Sequence, residues 1–499
     1  MRSRLFWFGI LIVALAVFFF TIVPARAEKE MAEQIKELKS KLAELEQQQI
    51  EMKKEATEAA AALPNFSYRP GSGLLIEAAD KSWSFRASME AHFRLLFESG
   101  EVEAGRETGG IMGRRFRPWF YYCVNDCLYE IETGIDLDGF GTGSAKNATG
   151  DEPGSILQRG VLWVHFEKLN PWLPTFYTGM EGPAAISSYR RGSSATAAQR
   201  EYDLLTRNTG FNTGRWGNGA GLNWDDRPLS GIGIPGRMSR LNVVYATIGE
   251  GDDGRQSFRI PRSTSAYINI EPFSQLKNRW LRGLGLEFGA WFCPNTANND
   301  PQNEPDVACD RLRIRDHGDG GRQTLFDTGS GSVGQGLTHL LVPGISWTIG
   351  PYRLRVAGAF QRYDEDDGGT PGHKKGNMFL IGHDLYVWSP KGFLTGSAST
   401  PGSILLGTHF ERTDVSCGIS NCAAGGEFSR NRILLREFDI WYVLMNRMSI
   451  GANWLWYDAS NLRTGLDEAQ HNLGCSSGAG SRGKGCDWVD FSITWRYQF

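Results

Sequence analysis

Residues Asp490 to Phe499 alternate without a fault. Phe491, Ile493, Trp495, Tyr497 and Phe499 share one side; Asp490, Ser492, Thr494, Arg496 and Gln498 share the other. Successive side chains on a strand face opposite ways, so this predicts a strand with one apolar and one polar face. About ten tilted residues is also the length that crosses a bilayer. The same pattern recurs upstream, where Trp83, Phe85, Ala87, Met89, Ala91, Phe93, Leu95 and Phe97 alternate with Ser84, Arg86, Ser88, Glu90, His92 and Arg94. That run is too long for most soluble sheets. Its polar side carries both signs of charge, which a dry core tolerates only when they are paired. A soluble sandwich would show similar alternation in any single strand. A closed barrel, with hydrocarbon outside and water inside, accommodates both faces at this length.

The rest of the chain follows the same pattern. Arg114 to Tyr122 and Leu128 to Asp138 read as a hairpin. Its second arm sets Tyr129, Ile131, Thr133, Ile135 and Leu137 against Glu130, Glu132, Asp136 and Asp138. Further strands are read at Leu157 to Phe166, Phe176 to Met180, Leu241 to Ile248, Ser263 to Ile270 and Leu281 to Phe292. His339 to Ile349, Tyr352 to Phe360, Met378 to Trp388, Ser403 to Arg412, Arg432 to Leu444 and Met448 to Tyr457 complete the set. The connections are rich in Gly, Asp, Asn and Ser, as turns require. Long loops on one side and short turns on the other suit a membrane barrel, and an even count of about sixteen strands is expected. The predicted fold class is an all-β transmembrane barrel of antiparallel strands over residues 64–499. Mean hydropathy of −0.34 is too polar for a helical membrane protein but suits a barrel with wet loops and lumen.

Two different segments precede it. Arg2 and Arg4, an apolar run from Leu5 to Val23 and the small-x-small site Ala25-Arg26-Ala27 predict a signal peptide over 1–27, with an uncleaved anchor as the alternative. Over 28–63, Met31, Ile35, Leu38, Leu42, Leu45, Gln49, Met52 and Ala56 step by four and three, a heptad seam. This predicts a periplasmic self-association helix from Lys29 to Ala62, ~50 Å long at 1.5 Å per residue. Whether it would form a dimer or a trimer is left open by the seam. The formal charge of −3 leaves no large basic face for nucleic acid. The 8 cysteines fall in near-neighbour pairs, Cys123/Cys127, Cys293/Cys309, Cys417/Cys422 and Cys475/Cys486, which suits local disulfides outside the reducing cytosol. There is no CxxC and no histidine at ligand spacing, so a metal site is a weak rival.

Several stretches resemble the phosphate-selective porins of the O/P type. Arg114-Arg115-Phe116-Arg117 is similar to their doubled-arginine strand opening. Phe176-Tyr177-Thr178-Gly179-Met180-Glu181-Gly182-Pro183, then Ser187-Ser188-Tyr189-Arg190 and Arg207-Asn208-Thr209-Gly210, resemble a strand with Gly and Pro ahead of Ser-Ser-Arg and Arg/Gly segments. An N-terminal coiled coil is common there too. The resemblance spans the barrel; the eight cysteines and the scarcity of lysines in these stretches depart from it. It implies a sixteen-stranded trimer in the bacterial outer membrane, with arginines and lysines along a narrow anion path. The C-terminal strand resembles the closing strand of such barrels, whose insertion machinery reads Ile493, Trp495, Tyr497 and Phe499.

The function expected is passive, anion-biased diffusion of small solutes, phosphate-like anions among them, through an arginine-lined, water-filled pore. Glu181 to Arg240 is too long for a turn and is locally cationic. Its Arg190, Arg191, Arg200, Arg207 and Arg215 are candidate pore-lining residues, with Arg86, Arg94, Arg353 and Arg355 on inferred lumen faces. A guanidinium stays charged at any physiological pH and replaces part of an anion's hydration shell. Pairing with acids or lipid headgroups is the plainer reading for any one of them. Expected partners are copies of the chain, outer-membrane lipid, the insertion machinery and small anions, with no nucleic acid. No cofactor or metal is expected, and no GxSxG, HExxH or P-loop points to an enzyme. A polysaccharide-export barrel and a tethered, secreted β-rich binding protein are the alternatives.

Overall fold

The computed structural model of the 499-residue chain describes residues 36–52, 63–100, 109–135, 137, 157–181, 217–229, 236–247, 262–295, 313–315, 324–327, 336–365, 373–397, 399–417, 428–459 and 486–498. A hairpin of β1 (Asn65–Arg69) and β2 (Gly73–Glu77) comes first. The barrel begins with β3 (Trp83–Gly100), β4 (Gly109–Val124), β5 (Tyr129–Ile135), β6 (Leu157–His165) and β7 (Thr175–Glu181). It continues with β8 (Gly217–Pro228), β9 (Arg237–Thr247), β10 (Arg262–Glu271) and β11 (Leu284–Asn295). A separate hairpin, β12 (Arg313–Arg315) and β13 (Thr324–Asp327), precedes β14 (Gly336–Ile349), β15 (Tyr352–Glu365) and β16 (His373–Ser389). Past the short β17 (Gly392–Phe393) come β18 (Ile404–Cys417), β19 (Phe428–Met445), β20 (Met448–Ala459) and β21 (Cys486–Gln498).

Sixteen of these strands close into one antiparallel ring. Closure is made by β21 against β3, from Trp488 opposite Gly100 to Gln498 opposite Glu90. Where β21 runs out, β2 takes over the same edge of β3, Leu74 opposite Ala87 to Glu77 opposite Ser84. The edge of β3 is thus paired along nearly its whole length, which matters because an unpaired strand edge is costly in lipid. Asn446 Nδ2 donates to the Pro70 carbonyl at 2.9 Å, and Tyr68 hydrogen-bonds Tyr497, so the start and the end of the barrel meet at this seam.

Alternation sorts the side chains as the sequence predicts. Phe93, Phe97, Tyr122, Ile131, Phe288, Phe360, Phe379, Ile440 and Trp495 are exposed on the outer surface. Connections at one end are short, among them 125–128, 350–351 and 446–447. Of those at the other end, 138–156, 182–216 and 460–485 lie outside the described residues.

Two expectations change. The segment from Glu181 to Arg240 is not one long connection: it contains β8 and the start of β9. The inward positions of β8 begin Gly217, Gly219 and Gly221, so half of its alternation is blank in the sequence. Gly221 is needed there because the Tyr177 ring lies where a Cβ would stand, 2.3 Å away. Of the helix expected from Lys29 to Ala62, the described residues 36–52 are helical (α1, described by itself), and the rest lies outside the described residues; Leu38, Leu42 and Leu45 on its seam are exposed. Its interactions include an exposed Lys41–Glu37 pair at 2.8 Å, one turn apart. The second change concerns the lumen. Much of the inward face is buried rather than wet, and it includes apolar clusters such as Tyr386, Leu405, Trp441 and Val443, and Val161, Tyr177 and Val244. Long strands bring enough aromatic side chains to the inner wall for neighbouring strands to pack against one another there.

The β4–β5 turn places Asn125, Asp126 and Cys127 at φ 56°, 52° and 55°, with Leu128 N–H bonded to the Asn125 carbonyl and a Cys123–Cys127 disulfide across it. Left-handed backbone is costly for a residue with a Cβ and free for glycine. Asp126→Gly is expected to raise stability by about 0.5–1 kcal/mol, read as a later urea midpoint.

In the β6–β7 connection, Glu167 accepts from Thr175 Oγ1 at 2.7 Å and lies 2.8 Å from His165 Nδ1. Burial alone would raise its pKa, but these hydrogen bonds outweigh burial and hold the carboxyl below its ordinary value. A depressed carboxylate contributes stability that is complete above its unfolded pKa and is lost as pH falls through the folded one. Glu167→Gln should therefore flatten the acid side of a stability–pH curve and leave the neutral side nearly parallel to wild type.

Candidate pore wall

The inner wall has two kinds of surface. The first is buried and polar, carried by β3 and β18 to β21. Asp439, Asn453, Ser492, Thr494 and Arg496 sit here at 0 to 1% exposure. Register explains the cluster: Asp439 lies opposite Asn453, and Asn453 opposite Ser492. Asn453 Nδ2 donates to Asp439, and its side-chain Oδ1 accepts from Thr494 Oγ1 at 3.0 Å and Ser492 Oγ at 3.4 Å. Arg496 stacks over the Trp441 ring, 3.7 Å from its centroid, and Trp441 itself lies flat across Gly451, its cross-strand partner. Nearby, His409 contacts Glu411, and His92 lies 3.2 Å from Glu90. Buried polar groups need such partners. Alternating positions supply them from neighbouring strands.

The second surface is solvent-accessible and rich in arginine. Arg86 stacks over Tyr121 at 4.1 Å. Arg159 pairs with Glu132 at 3.3 Å and lies 5.5 Å over Trp163. Arg240 Nε donates to Asn223 at 2.9 Å, and Arg237 bridges Asp226 at 2.9 Å and Glu271 at 2.6 Å. Arg353 and Arg355 have the inward parity of β15, because Ala357, Ala359, Gln361 and Tyr363 of the same face are buried. Arg353 sits in register with Asp384 of β16. Arg86, Arg237, Arg240, Arg353 and Arg355 all lie near the short-turn ends of their strands. A cavity of about 1360 Å³ opens at this end, lined in part by Arg237, Glu271, Arg279, Arg282, Thr348 and Tyr352.

The arginines named from the sequence therefore divide. Arg86, Arg353 and Arg355 face the accessible interior. Arg94 also faces in, but at 1% exposure it is part of the buried wall. Arg190, Arg191, Arg200, Arg207 and Arg215 lie outside the described residues. Arg159 was not anticipated. Its strand is apolar on both faces, with Val161 and Trp163 inside and Leu162 and Val164 outside, so alternation gave no cue. The Asp439 cluster is hidden in the same way by Ile433, Leu435, Trp441 and Val443 on the inward side of β19.

Among the cysteines, Cys123 and Cys127 are bonded to each other, with Cα atoms 4.6 Å apart, and Cys293 is disulfide-bonded. Cys309, Cys422 and Cys475 lie outside the described residues, as do the side chains of Cys417 and Cys486. Ile493, Trp495 and Tyr497 are on the outer face of β21, and Phe499 lies outside the described residues. Among the described residues, no three His, Cys, Asp or Glu side chains gather as a metal site would require.

No family model and no curated protein matches the chain. Among solved structures it is similar to OmpT of Vibrio cholerae, at 10% identity, covering 84% of this chain and 98% of that one with a TM-score of 0.47. It is similar to the anion-selective porin from Comamonas acidovorans at 12% identity, 84% and 100% coverage and a TM-score of 0.47. The outer membrane channel DcaP of Acinetobacter baumannii is similar at 9% identity, 84% and 98% coverage and a TM-score of 0.47. Likenesses this distant assign no function.

Proposed function

We propose that the chain is an outer-membrane pore passing small solutes by passive diffusion, with a bias toward anions. The observation that carries this reading is a closed barrel whose outer face is apolar and aromatic while its accessible inner face is charged. A sheet with that outer face has one favourable surrounding, hydrocarbon, and ring closure removes the edge that would make the surrounding costly. Short turns would then face the periplasm and long loops the exterior. The bias comes from the accessible arginines. Arg237 is balanced by Asp226 and Glu271, but Arg86 rests on an aromatic ring, so the wall keeps positive charge to offer a passing anion. Because much of the inner wall is buried, the path is narrower than the strand count implies.

The finer expectations fit this reading: the chain assembles as a trimer, α1 forms part of a periplasmic coiled coil, and the solutes include phosphate-like anions, as in the O/P-type porins. Liposomes holding the purified protein should leak chloride and phosphate faster than potassium, without saturation up to high solute concentration. Saturable flux confined to one solute would contradict diffusion; no flux at all would contradict a pore.

A further inference from the structure

The outer surface is not uniform. On β3 to β11 the described outward side chains near the long-loop ends are uncharged: Phe97 on β3, Ile111 on β4, Tyr245 on β9 and Phe292 on β11. On β14 to β20 the same level is charged. His339, Arg362, Lys375, Arg412, Arg432 and Arg436 all have outward parity toward that end; Arg432 lies opposite Asp414, Arg412 opposite Phe379 and Arg436 opposite Phe410. His339 lies opposite Arg362, and Arg362 opposite Lys375. Asp364, Asp414 and Asp458 accompany them, so the sector is cationic. Arg362 pairs with Asp364 at 2.5 Å, and Asp414 is shared by Arg412 at 2.7 Å and Arg432 at 2.9 Å. Arg362 and Arg412 keep side-chain exposures of 51% and 40% despite those pairs. Lys375 and Arg436 have no ion-pair partner among the described residues. Just toward the short-turn side lie Phe360, Phe379, Phe410 and Phe438, the lipid-facing band.

From this geometry we infer that the sector from β14 to β20 binds the phosphate groups of glycolipid in the surrounding outer leaflet. The inference rests on the membrane reading above. An arginine on the outside of a barrel is costly at mid-bilayer and nearly free at the headgroup level. A cation shortly beyond a phenylalanine on each of β15, β16, β18 and β19 therefore marks that level. Guanidinium groups hold phosphate oxygens bidentately and stay charged. This face set against itself would meet like charge, and the described outward side chains of β3 to β11 at the long-loop ends offer it no carboxylate, so lipid phosphate is the better complement.

The test uses the full-length protein purified in detergent, with native mass spectrometry counting bound glycolipid. The probes are diphosphorylated lipid A and the same lipid stripped of its phosphates. Wild type should retain the phosphorylated form about tenfold more than the stripped one, and millimolar inorganic phosphate should not displace it. The Lys375→Gln, Arg412→Gln, Arg432→Gln, Arg436→Gln variant should lose that preference, while Arg→Lys replacements at the three arginines keep most of it. Equal retention of both lipids by wild type overturns the inference even if the glutamine variant does not fold, as does an unchanged preference in a folded variant. Displacement by inorganic phosphate would also overturn it, since the site would then be one for free anion. A protein that stays soluble without detergent would instead defeat the membrane reading, a separate outcome.

Discussion

Replacing Arg353 and Arg355 together with glutamate should reverse the ion preference of the pore. In a planar bilayer under a salt gradient, the reversal potential is expected to change sign from chloride-favouring to potassium-favouring. The two side chains share the inward parity of β15, near the short-turn mouth, and both are partly exposed. Each substitution exchanges a fixed positive charge for a negative one on a low-dielectric wall, where fields are poorly screened. A shift in the permeability ratio of about tenfold or more, ~1.4 kcal/mol, is expected. Arg→Lys at both positions should keep the sign, because the charge remains. An unchanged potential would remove β15 from the ion path. The same readout tests Arg190, Arg191, Arg200 and Arg207: their joint replacement by Ala should lower chloride-over-potassium selectivity if that segment lines the pore.

The largest loss of stability is expected at Trp441. Its indole is 1% exposed, covers Gly451, packs with Tyr386, Leu405 and Val443, and carries Arg496 on its face. Trp441→Ala leaves a cavity and takes the stack from a buried guanidinium, a cost of about 3–5 kcal/mol. Gly451→Val attacks the same contact from the other strand. A Cβ there would sit 2.3 Å from the ring, so the indole must move and Arg496 with it. Urea unfolding in detergent measures both. Each variant should unfold at clearly lower denaturant than wild type, whereas Phe360→Leu on the lipid-facing side should differ little. Two such pairings, Trp119 across Gly134 and Tyr177 across Gly221, repeat the device elsewhere on the wall. An aromatic ring covering a cross-strand glycine fixes register in sheets that must curve.

These pairings also show why part of the fold was legible in the sequence and part was not. Where a strand meets lipid on one face and charge on the other, as in β3, β15 and β21, period-two alternation is unambiguous and the strand can be read directly. β8 escapes this reading because its inward side begins with glycines, of which Gly221 accepts the Tyr177 ring from β7. β19 is read as a strand at Arg432 to Leu444, but its inward side is as apolar as its outward side, so Glu437 and Asp439, set among Leu435 and Trp441, do not stand out as a polar cluster. The site divides along the same line. Arg86, Arg353 and Arg355 are legible because parity places them. Arg94 has the same parity, yet it is buried, since parity says which way a side chain points and not what covers it. The heptad seam of residues 28–63 is a local pattern, and helix α1 carries it over the described residues 36–52. Its further use depends on partners that one chain's local pattern does not specify.

The most direct measurement is the current carried by wild-type protein in a planar bilayer with unequal potassium chloride on the two sides. The account predicts discrete conductance steps and a reversal potential displaced toward the chloride equilibrium. A bilayer that stays silent while the protein is demonstrably inserted, or steps that favour potassium, would contradict it.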